Sequence, residues 1–116
     1  MPVQIHPGVN SRQVYECCRG HPRILFSTPI AVRHLCLGGV RSTHGISLDL
    51  GEGGLGAIVQ GDLHVGETVS IDFRLVNQPT TTVAIVRHTS SVRSGFEFVG
   101  LTPEERLQIA NVVGQS

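Results

Sequence analysis

The stretch Val69-Ser-Ile-Asp-Phe-Arg-Leu75 sets Val69, Ile71, Phe73 and Leu75 against Ser70, Asp72 and Arg74 in strict alternation. Side chains of an extended chain point alternately to opposite faces, so this run is a half-buried β-strand. Turn residues bracket it: Gly61-Asp62 and Gly66 before, Asn77-Gln-Pro79 after. Downstream, Thr82 to His88 and Gly95 to Val99 form a predicted final hairpin, joined by the polar connection Thr89-Ser-Ser-Val-Arg-Ser94. Upstream, Ile24 to about Leu35 is mostly apolar and is predicted as a first strand, kinked or at an edge because Pro29 interrupts it. Gly38-Gly39 then turns the chain. Ile46, Leu48 and Leu50 alternate with Ser47 and Asp49, predicting a second strand whose end brings Asp49 to a rim, and Leu55 to Val59 returns as a third.

Six short strands predict an all-β fold, a small antiparallel barrel. One helix follows. Thr102-Pro103-Glu104-Glu105 places a capping threonine before proline at the first helical position, with a glutamate three residues beyond the cap. The helix is predicted over Pro103 to about Val113, with Leu107, Ile109, Ala110 and Val113 lying over one end of the barrel or facing a partner.

At 116 residues the chain fits one domain with one modest core. No apolar run approaches the ~20 residues of a membrane span. No basic start followed by an apolar stretch marks a secretory signal, and three cysteines are an odd number, so reduced thiols in a cytoplasmic setting are expected. All nine cationic residues are arginine. The lack of lysine excludes a P-loop, a protein kinase and Schiff-base chemistry. A formal net charge of zero disfavours general nucleic-acid binding, which draws on a basic excess.

Two runs carry chemistry. Arg19-Gly-His-Pro-Arg23 spaces two guanidinium groups four residues apart on a segment that Pro22 biases towards an extended form. A guanidinium grips phosphate bidentately, pairs with the O6 and N7 edge of guanine or stacks on a base. Asp49-Leu-Gly-Glu-Gly-Gly54 then offers an acceptor for the N1 and N2 edge of guanine and glycines that let the backbone approach a ligand.

This pairing resembles the PilZ domain family, whose signature is an Arg-x-x-x-Arg arm followed by an Asp/Asn-x-Ser-x-x-Gly turn. Gly54-Leu-Gly-Ala-Ile-Val and Gly95-Phe-Glu-Phe-Val-Gly-Leu-Thr-Pro-Glu-Glu-Arg resemble that family's third strand and its last strand running into a helix. The resemblance runs from about Cys18 to the end of the chain. It implies a non-enzymatic bacterial receptor for the second messenger cyclic di-GMP, with Arg19, Arg23, Asp49, Gly51 and Gly54 as the binding positions and no further cofactor. Gly51 stands where the family has serine, so one hydroxyl contact is absent and weaker binding is expected. That loss is about 0.5–1.5 kcal/mol, against about 1.5–3 for a contact to a charged group.

Residues 1–18 hold Pro2, Pro7, Gly8, Asn10 and Ser11 without regular apolar spacing and are read as a flexible arm; residues 19–116 form the domain. Ordering of the arm on binding is the expected signal, passed to a protein partner. Arg12, His21, Arg41 and Arg87 are second-rank candidates because they flank the arm or the turn, or sit late in the fifth strand. The alternative is an adaptor of the same barrel type that binds no nucleotide and acts through protein contacts, in motility or pilus assembly.

Other patterns are weaker. Gly51-x-Gly53-x-x-Gly56 matches a dinucleotide fingerprint, but strand-like residues follow where a helix is required. Three cysteines and six histidines show no metal-ligand spacing. No Gly-x-Ser-x-Gly elbow supports a hydrolase, and one tyrosine with no tryptophan offers little to stack single-stranded nucleic acid.

Overall fold

A computed structural model describes residues 15–16, 22–36 and 39–114 of the chain. In chain order the elements are β1 (Tyr15–Glu16), β2 (Pro22–Leu25), β3 (Pro29–Cys36), β4 (Gly39–Gly51), β5 (Gly54–Val59), β6 (Thr68–Leu75), β7 (Gln78–Thr89), β8 (Ser94–Phe98) and one helix, α1 (Pro103–Gly114). All pairings are antiparallel, and the order β4-β3-β6-β7-β8-β5 closes on itself through β4 and β5. The result is the predicted six-stranded barrel, with β2 and β1 added along one edge of β4.

The predicted first strand is two strands. Pro29 begins β3 and residues 26–28 break the run, because proline has no N–H for a ladder. Those three residues remain tied to β4: Phe26 N–H donates to Leu48 O at 3.0 Å and Ser47 N–H to Thr28 O at 2.9 Å. The Ser47 hydroxyl is the second tie, donating to Phe26 O and accepting from Thr28 N–H. The second strand is also longer than predicted. Its early residues pair with β3, from Cys36↔Gly39 to Pro29↔Ile46, and its late residues Asp49 to Gly51 pair with β2. Two different partners thus share one edge of this long strand, β3 along its first part and β2 along its last.

The barrel interior is filled by Val32, Leu50, Leu55, Val69, Ile71, Leu75, Val86 and their neighbours. Phe73 and Phe98 stack with ring centroids 6.0 Å apart and planes 9° from parallel. Val69, Ile71, Phe73 and Leu75 are all buried, as their alternation requires. Helix α1 closes one end by burying Ile109 and Val113, one turn apart on a single face. Leu107 is 62% exposed and lies off that face. The capping box is formed: Thr102 Oγ1 accepts from Glu105 N–H at 3.1 Å, and Glu105 Oε1 accepts from Thr102 N–H at 3.0 Å.

Two irregularities matter for what lies outside the barrel. Pairing of β4 with β5 shifts between Ser47 and Asp49, so Leu48 is an extra residue; pairing of β7 with β8 shifts between Val86 and His88, so Arg87 is another. A one-residue insertion sends every later side chain to the opposite face. Thus Ser47 is buried and Ile46 is 45% exposed, the reverse of the simple alternation, whereas Asp49 and Leu50 recover the expected sides.

Candidate functional site

The two bulges adjoin the ends of one row of the sheet. Cross-strand register aligns Asp49 with Gly56, Gly56 with Gly95 and Gly95 with His88. This row runs over the outside of β4, β5, β8 and β7, and its two central positions are glycines. Their missing side chains leave space that neighbours occupy. A Cβ on Gly56 would lie 1.9 Å from Arg93 Nη2 and 2.7 Å from Asp49 Oδ1; one on Gly95 would lie 2.5 Å from the His88 ring. Neither position could hold any other residue without displacing them.

Asp49 is the hub. Its Oδ1 accepts from Arg23 Nε at 3.2 Å, from Arg23 Nη2 at 2.7 Å and from Gly56 N–H at 3.1 Å. Its Oδ2 accepts from Arg93 Nη2 at 2.9 Å. The carboxylate is covered by these donors, leaving the residue 2% exposed even though it stands on the outer face. Arg23 is largely buried as well, with a side chain 13% exposed, whereas that of Arg93 is 37% exposed. Among the described residues, two guanidinium groups face this one carboxylate, an excess of positive charge that attracts an anion.

The two sequence runs therefore meet. Strand β2 pairs Arg23 with Gly51, and Gly51 gives the arginine its path: a Cβ there would lie 3.1 Å from Arg23 Cγ and 3.1 Å from Pro22 O. Glu52 and Gly53 form the exposed tip between β4 and β5, and a Cβ on Gly53 would meet nothing within 4 Å. Gly54 is a strand residue with a different task. A Cβ on it would lie 2.2 Å from Phe96 O, so glycine lets β8 come close.

Arg19, Arg12 and His21 lie outside the described residues, as does the arm of residues 1–18 apart from the backbone of β1. Arg41 is elsewhere: it is eight positions before Asp49 on β4, about 27 Å at strand rise, beside His34. Arg87 is the bulge residue of β7 and pairs with Glu97 at 2.5 Å rather than with Asp49. Arg93 is the residue that sequence reasoning passed over. It sits in the polar connection between the last two strands, and nothing in linear spacing relates it to Asp49, 44 positions earlier. The signal available was the arginine itself, in a turn otherwise of serine, threonine and valine.

The PilZ domain family model matches residues 19–115. Among solved structures, the PilZ domain of CeSA from a cellulose-synthesising bacterium superposes with a TM-score of 0.62 at 18% identity, covering 80% of this chain and 95% of that one. The PilZ domain of YcgR from Escherichia coli, solved with cyclic di-GMP, gives a TM-score of 0.68 at 17% identity, with 85% of this chain and 91% of that one covered. The Bacillus subtilis inhibitor of motility, MotI/DgrA, gives 0.71 at 14% identity over 85% of this chain and 51% of its own. No curated protein sequence matches the chain. The residues that the family model matches include the barrel, the capping helix and both motif-bearing strands, and this protein belongs to the PilZ domain family.

Proposed function

We propose that this protein is a non-enzymatic receptor for cyclic di-GMP, acting in the bacterial cytoplasm and passing its signal to a protein partner through residues 1–18. The observation that carries the reading is the convergence of Arg23, from the arginine pair, with Asp49, from the glycine turn, at 2.7 Å on the outside of the barrel. The two motifs are distant in sequence and adjacent in space, in a family of cyclic di-GMP receptors. Arg19 and Arg23 grip phosphates and guanine edges in this reading, Asp49 takes part through its carboxylate, Gly51 leaves Arg23 its path across β4, and Gly54 lets β8 lie close beside the turn. Excess positive charge around Asp49 supports an anionic ligand. The solved YcgR domain with cyclic di-GMP shares the fold.

Calorimetric titration of the purified chain with cyclic di-GMP, cyclic di-AMP and GTP tests this, with Arg23→Ala as the control. Binding of cyclic di-GMP alone at micromolar concentration or below, lost in the variant, is the expected result. Absence of both heat and displacement of a fluorescent analogue would rule the receptor out. The second reading, an adaptor working through protein contacts alone, is favoured by Gly51 at the family's serine position and predicts that null titration.

A further inference from the structure

A guanidinium carries five N–H donors and ordinarily finds several acceptors. Among the described residues the Arg93 guanidinium has one acceptor, Asp49 Oδ2 at 2.9 Å, and its Nε is buried with no hydrogen-bond partner. An orphaned buried donor is costly and rare in a side chain serving only the fold. Nor does Asp49 need Arg93 for neutralisation, since Arg23 already pairs with it and Gly56 N–H adds a further bond.

The backbone around Arg93 is nevertheless firmly held. Ser90 N–H donates to Arg93 O at 2.9 Å, and the Ser90 hydroxyl accepts from the amides of Val92 and Arg93 at 3.2 Å each. From that fixed turn the side chain crosses to β4 through the space that Gly56 leaves. A well-anchored, partly exposed cation with an unsatisfied N–H, beside a carboxylate already matched by another cation, is placed to meet an anion from outside.

We propose that Arg93 is a ligand-contacting residue that takes a phosphate of the guanine nucleotide, and that Asp49 is a positioning residue that holds Arg23 and Arg93 on either side of the ligand. The assignment rests on the cyclic di-GMP reading given above. It changes the part played by Asp49, whose two oxygens set the spacing of two forks. Approach of a phosphate lets the guanidinium re-orient and satisfy the Nε–H that the fold leaves unpaired.

The test titrates cyclic di-GMP into the full chain and into Arg93→Ala, Arg93→Lys and Arg87→Ala. Loss of a charge-assisted contact weakens Arg93→Ala by roughly 10- to 100-fold, leaves Arg93→Lys intermediate because an ammonium lacks the fork, and leaves Arg87→Ala within about twofold. Nitrogen-15 NMR of the unaltered chain supplies a readout independent of the variants' folding: the Arg93 Nε–H resonance shifts during titration while that of Arg87 stays. In Asp49→Asn the Arg93 resonance already differs before ligand is added. If the unaltered chain binds and Arg93→Ala binds equally well, or if the Arg93 resonance does not move, the assignment is overturned and the receptor reading stands. If the unaltered chain does not bind, the receptor reading falls and this assignment falls with it.

Discussion

Asp49 shows how much a single carboxylate can organise. It joins β2, β4, β5 and the turn between β7 and β8 through four hydrogen bonds from two guanidinium groups and one amide. Removing it leaves Arg23 largely buried without a counter-charge, and breaking such a pair costs about 3–5 kcal/mol. Asp49→Ala should therefore lower the urea midpoint of the free protein, well beyond the effect on affinity alone; a midpoint unchanged from the parent would mean that the cluster does not hold the strands. Gly51→Ser asks a different question. Its Cβ would lie 3.1 Å from Arg23 Cγ, tight enough to require a shift of a few tenths of an ångström. The expected stability change is within ~1 kcal/mol. A restored hydroxyl contact should tighten cyclic di-GMP binding by about two- to tenfold, measured by the same titration.

At the level of elements, the segment between β5 and β6 is fastened at the barrel end away from the helix by a buried hydrogen bond between a histidine ring and a carboxylate. His34, on β3 and 3% exposed, is hydrogen-bonded through Nδ1 to Glu67 Oε2, and Glu67 Oε1 accepts from His64 N–H at 3.1 Å. Burial raises the Glu67 pKa, but the hydrogen bonds from His34 and His64 and the charge of both imidazoles outweigh it, and the net direction is below the usual 4.5. The folded form then holds this proton less tightly than the unfolded form. Its contribution is fully present above pH 4.5 and is lost as pH falls through the lower folded value. Chemical denaturation across pH should show the parent falling more steeply in acid than Glu67→Gln, with the two separated by about 1–3 kcal/mol at neutral pH. Parallel acid profiles would show that Glu67 contributes no such linkage.

The whole molecule is a closed barrel whose site spans strands from both ends of the chain. Arg23 comes from β2, Asp49 from β4 and Arg93 from the last hairpin, so only the completed barrel assembles the cluster. A ligand that binds only this assembled state stabilises it by mass action. At a free concentration of cyclic di-GMP one hundred times Kd the gain is about 2.7 kcal/mol, which for a domain of this size raises Tm by roughly 10 °C. Differential scanning calorimetry checks it, and a Tm independent of ligand concentration would contradict specific binding. Arg93→Ala should show a much smaller rise at the same concentration, which joins the residue-scale assignment to a property of the whole fold.

Local pattern was enough to determine the β character of the chain, the strand over Val69 to Leu75, the helix with its Thr102 and Glu105 cap, and the arginine and glycine motifs of the family. Each depends on residues close together: alternation over a few positions, proline and glycine at fixed offsets, side chains reaching amides three residues away. The count of six short strands pointed to a small barrel, but its closure through β4 and β5 was decided by the tertiary structure. The division of one predicted strand at residues 26–28, the bulges at Leu48 and Arg87, and the Arg23-Asp49-Arg93 cluster were decided by the tertiary structure. A bulge arises from how two strands match in register, and a residue 44 positions away joins a site only when the sheet brings its turn alongside. Alternation within one strand carries no information about either.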